Sequence, residues 1–115
     1  MRPPETLEEA LDELSTLAPH RVRGVPSGEG VAYQFYAPVS GQVVWGHSLS
    51  GALAAIIADN GLHHISSTAA PYSVAVYRRG VNPDGMVRAV GNNHLAALAI
   101  ALAAYLRQEL VKCAP

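Results

Sequence analysis

Apolar residues at positions 7, 10, 11, 14, 17 and 18 recur at three- and four-residue intervals, which lines one face of a helix. Thr6 precedes Glu9 by three positions, the spacing of a capping box, in which hydroxyl and carboxylate satisfy free N–H groups of the first turn. Glu8 and Glu9 suit the positive end of the helix dipole, and Pro19 supplies the stop. After the turn-forming PSGEG, the period changes from helical to two. Val31, Tyr33 and Phe35 alternate with Ala32, Gln34 and Tyr36, and these residues favour a pleated strand. Ser40 and Gly41 can turn this strand back into QVVW as a hairpin.

A second helix is predicted over Leu49–Asp59, with Asn60-Gly61 as its C-terminal stop. The stretch LHHISSTAA fits either a short edge strand or a loop. Beyond Pro71, YSVAVYRRG alternates again, and NPDG places proline and glycine as a type I turn prefers. MVRAVG then completes a second hairpin. Asn92 or Asn93 can cap a long helix from His94 to about Lys112, whose first two-thirds is apolar on nearly every side. Such a helix is buried on more than one face, and its alanines (Ala96, Ala97, Ala99, Ala101, Ala103, Ala104) let neighbours approach closely.

The order is therefore a helix, two or three strands, a helix, two strands and a helix, α-β-β-α-β-β-α in its simplest form. Hairpins imply a mainly antiparallel sheet, expected to hold four to five strands packed with three helices in an α+β fold. With no repeat and no linker-like stretch, residues 1–115 are expected to form a single domain.

Composition narrows the classes. Half of the 115 residues are apolar and 15% are charged, which excludes a disordered or collagen-like chain. The single cysteine, Cys113, cannot form an internal disulfide and suits a reducing compartment. The N-terminus has no apolar core of signal-peptide length. The most apolar run, Leu95–Leu106, falls short of the ~20 residues that span a bilayer. A cytoplasmic protein without a membrane anchor is expected. Charge is divided along the chain: residues 1–18 carry one arginine against five acids, while the basic residues elsewhere are scattered. An acidic first-helix face reads as a solvated surface, and no basic cluster supports nucleic-acid binding.

One stretch hints at chemistry. VVWGHSLSGALAAIIA resembles the nucleophile elbow of α/β-hydrolases, a strand, a Gly-x-Ser-x-Gly turn and a helix. The resemblance implies Ser48 as nucleophile, with Asp84 (or Asp59) and His94 as the acid and histidine that follow in chain order. The match is local. Ser50 stands where the second glycine belongs, Gly51 comes one residue late, and a helix and hairpin precede the corner where the family has parallel crossovers. Serine is also a preferred N-cap, so Ser48 is expected to cap its helix.

The other polar residues assemble no recognisable centre. His63 and His64 are adjacent and would point to opposite faces of a strand, so they cannot share one ion. Neither a metal nor a cofactor is expected. Tyr33, Tyr36, Trp45, Tyr72 and Tyr77 fall on proposed strands. Tyr72 and Tyr77, with Arg78, Arg79 and Arg88, would give the second hairpin a recognition surface, because Tyr and Arg are enriched where binding energy concentrates.

The whole plan is similar to small phage-encoded α/β/α-sandwich proteins: an acidic amphipathic helix, a hairpin-built sheet and the alanine-rich NNHLAALAIALAAYL. That resemblance implies a non-enzymatic accessory protein that binds a host defence complex. The leading expectation is an interaction protein whose partner is another protein or a second copy. The alternatives are a small serine hydrolase using Ser48, and a small-ligand-binding dimer closed through the alanine-rich helix.

Overall fold

The computed structural model of the chain describes residues 4–28, 30–39, 42–45, 49–67, 71–78 and 86–113. Its elements run α1 (Leu7–Leu17), β1 (Val22–Ser27), β2 (Gly30–Val39), β3 (Gln42–Trp45), α2 (Leu49–Asp59), β4 (His63–Ser66), β5 (Tyr72–Tyr77), β6 (Val87–Gly91) and α3 (His94–Cys113). The α+β class, the three helices and the antiparallel pairing agree with the sequence pattern. The strands differ in number and grouping. Among the described residues there are six, in two sheets of order β1-β2-β3 and β4-β5-β6, where one sheet of four to five was expected. The additional strand is β1. Gly24 and Pro26 disguise its alternation, and Pro26 is tolerated because β1 lies at a sheet edge. The ambiguous LHHISSTAA contributes β4.

Local chemistry sets the helix ends. The Thr6 hydroxyl accepts from the Glu9 N–H and also lies 3.2 Å from the Glu9 carboxylate. Helix α2 closes with a Schellman motif, because the Leu62 N–H donates to the Ile57 carbonyl and the Gly61 N–H to that of Ala58. Gly61 takes the left-handed conformation this requires, with φ +64°. Leu62, buried just beyond, carries the chain directly into β4. At α3 the cap is Asn93, whose side-chain oxygen accepts from the Ala96 N–H at 2.9 Å.

Helix α3 is the centre of the molecule. It packs on β5 and β6, and it also touches α1 and α2, which in turn contact β1 and β2 respectively. One apolar cluster joins Leu14, Val22, Leu53, Ile56, Val74, Val76 and Leu102, with Tyr33 and Phe35 packed against it. Among the described residues no polar or charged side chain is buried. The alanine pattern of α3 is explained here: Ala97, Ala99, Ala101 and Ala103 are fully enclosed by the chain's own sheet and helices. Those four alanines are therefore spent on packing within one copy and present no surface to a second. Gly91 shows how close the contact is, since a Cβ there would lie 2.7 Å from the Ala97 backbone nitrogen.

Candidate interaction surface

The sheet β4-β5-β6 has two unlike faces, and the strand register assigns each residue to one. Val74 pairs with Ala89, and Val76 with Val87 and His64. Val74 and Val76 belong to the core cluster with Val87 and Ala89 against it, so this face lies under α3. The opposite face carries Ser73 beside Val90, Ala75 between Ile65 and Arg88, and Tyr77 beside His63. No described helix packs on it, since α3 lies on the inner face and the other helices contact α3 and the first sheet. Ile65 is 57% exposed and Val90 58%. Ala75, between Ile65 and Arg88 in the ladder, is nonetheless fully buried. The rings of Tyr77 and His63 stack with centroids 5.6 Å apart.

The residues singled out from the sequence divide sharply. Arg88 is exposed on the outer face and pairs with Ala75 across the ladder. Tyr77 is half-buried on the same face. Tyr72 falls on the inner face at the start of α3, where its ring meets that of His94 at 4.7 Å and 60°. Arg78, just past β5, is engaged internally. Its guanidinium donates to both Glu109 carboxylate oxygens at 2.9–3.1 Å and to the Asn60 carbonyl at 2.7 Å. Hydrogen bonding to Glu109 raises the Arg78 pKa above its ordinary value, with Tyr105 contributing in the same direction. Arg78 thus ties the end of the hairpin to α3 and to the α2 C-terminus. Arg79 lies outside the described residues.

Of the serine-hydrolase set, Ser48 and Asp84 lie outside the described residues, and the structure places only His94, at the first position of α3 against Tyr72. Asp59, the other acid considered, is held by Arg21 through bonds of 2.7 and 2.8 Å, with His20 Nε2 at 3.4 Å. The Arg21 hydrogen bonds hold its carboxyl below the ordinary range. On α1, the acidic face also reaches the sheet: burial, then Asp12 and Glu8, push the Tyr33 phenol up. His63 and His64 point to opposite faces, as adjacent strand residues must. Among the described residues no group of three or more His, Cys, Asp or Glu side chains could hold a metal ion. No described helix is long and apolar enough to cross a membrane.

The sequence pattern alone does not single out Ile65, Val90 or His63 for binding. The signal for Ile65 was present in the apolar position between His64 and Ser66, but only a strand assignment for LHHISSTAA gives that position a face. No family model matches the chain, and neither a curated protein nor a solved structure matches it.

Proposed function

We propose that this chain is a non-enzymatic interaction protein that holds a macromolecular partner against the outer face of the β4-β5-β6 sheet. The observation that carries the reading is the pair Ile65 and Val90, each more than half exposed on a face that no described element covers. Exposed apolar groups flanked by an aromatic and an arginine match the composition of binding hot spots, and Tyr77 and Arg88 supply both. The likeness of the chain plan to phage-encoded sandwich proteins supports the same reading and points to a host defence complex as the class of partner. The single cysteine is in keeping with a reducing cytoplasm as the setting.

Affinity capture with the wild-type chain and with an Ile65→Asp/Val90→Asp variant tests this. Both substitutions fall on exposed side chains, so the circular dichroism spectrum should be unchanged. A partner recovered with the wild type and lost with the variant supports the reading. Recovery of the same partners by both chains, or of none by the wild type, overturns it.

A further inference from the structure

Strand β4 is a sheet edge, and the direction of its backbone groups follows from one hydrogen bond. The Ser67 N–H donates to the Ser73 carbonyl at 2.9 Å, in line with the register that sets His63 opposite Tyr77 and Ile65 opposite Ala75. In an antiparallel ladder, bonded and non-bonded pairs alternate. His63 and Ile65 therefore turn their N–H and C=O groups toward β5, and His64 and Ser66 turn theirs to the open edge. No described strand pairs with that edge, and all four residues of β4 are exposed. Its four residues make a short edge, but His63–Ser66 carries no proline, lysine or bulge that would block pairing.

We propose that β4 pairs antiparallel with β4 of a second copy of this chain, about a two-fold axis through Ile65. The outward groups select this register. His64 of each copy meets Ser66 of the other, and each such pair exchanges two N–H···O bonds. A register centred on His64 would need the Leu62 N–H, which is already given to Ile57. The chosen register also sets Ile65 against its own counterpart as a close non-bonded pair on the outer face. That contact covers a side chain left 57% exposed in one copy, which is why a second copy fits better than an unrelated strand. The interface is isologous and closes on itself, so it yields a dimer and no filament. It rests on the backbone groups of the β4 edge and shares only Ile65 with the partner reading, so crosslinking and mass, which need no partner, decide it separately. If both hold, the two outer faces join into one continuous platform.

The test uses crosslinking and oligomeric state. A non-bonded antiparallel pair brings its Cα atoms to about 4.5 Å, within the span of a disulfide. In a Cys113→Ser background, Ile65→Cys should form a covalent dimer under mild oxidation, and Val90→Cys, as exposed but away from the edge, should form far less. Sedimentation equilibrium should give twice the chain mass for the wild type. It should give the chain mass for His64→Pro, which removes an outward N–H without touching the bonds to β5. A wild-type monomer at the highest soluble concentration, or crosslinking of Ile65→Cys no greater than that of Val90→Cys, overturns the proposal. Should His64→Pro fail to fold, the cysteine pair decides alone.

Discussion

The two faces of the β4-β5-β6 sheet are built from similar residues and meet opposite fates. Val74, Val76, Val87 and Ala89 on one side lie against α3, whereas Ile65 and Val90 on the other are more than half exposed. Arginine follows the same division. Arg78 is tied to Glu109 and Asn60, and Arg88, in the next strand, makes no ion pair among the described residues. Residue type therefore says little about role here. Which side α3 covers decides both packing and availability.

The contrast breaks most readily at the centre of the covered side. Leu102 is fully buried in the core cluster with Val74 and Val76, and Leu102→Ala should cost about 2–5 kcal/mol through lost transfer energy and an unfilled cavity. Val90→Ala should stay within about 0.5 kcal/mol, because its side chain already meets water. Urea unfolding of the two variants checks the comparison. A Val90→Ala cost approaching that of Leu102→Ala would mean that the outer face is covered.

Gly91 sharpens the same contrast from the backbone side. It pairs with Tyr72 on the inner face, and an added Cβ would sit 2.7 Å from the Ala97 nitrogen and 3.1 Å from the Ala96 carbonyl carbon. These are backbone atoms of α3, so no side-chain rotation relieves the contact. Gly91→Ala should destabilise by about 1–3 kcal/mol, as overpacking does. A lowered thermal midpoint with an unchanged spectrum is the expected result. Unchanged stability would show that α3 stands further from the sheet.

Most of the fold was legible because it depends on local signals. Thr6, Gly61 and Asn93 each set a helix end through bonds within a few residues, so their spacing in the chain is enough. The second sheet's β5 and β6 were legible from alternation. Strand β1 was not, since Gly24 and Pro26 interrupt its apolar period and its place is fixed by pairing with β2. The surface was harder still. Arginines 78 and 88 look alike in sequence, and their difference depends on Glu109, 31 residues along the chain from Arg78. Alternation shows that a strand has two faces without showing which one a distant helix will cover.

The two arginines give the next smaller effect. Arg78→Gln removes a forked contact to Glu109 and leaves the Asn60 carbonyl short of a donor at the α2 terminus. Since Arg78 and Glu109 are each about one-third exposed, solvent screens the pair, and the loss should be about 1–2 kcal/mol, most of it from the unpaired groups. Arg88→Gln should leave unfolding unchanged while weakening any partner held on the outer face. Equal stability losses at the two sites would erase the division between them.

Asp59 lies between the two regimes and carries the smallest effect. Its carboxylate is 32% exposed, yet Arg21, only 11% exposed, grips both oxygens from the corner between α1 and β1. Because the folded state holds this carboxyl below its ordinary value, the folded chain binds fewer protons here than the unfolded one near pH 4. The contribution is therefore complete above the ordinary carboxylate value of about 3.9 and is lost as pH falls through the lower folded-state value. Asp59→Asn should cost no more than about 1 kcal/mol at pH 7, because partial exposure screens the charge. Urea midpoints for wild type and Asp59→Asn should converge as the pH is lowered from 5 toward 2. Midpoints that stay equally far apart across that range would assign the difference to lost packing or hydrogen bonding, and Asp59 would then behave like a residue of the covered face.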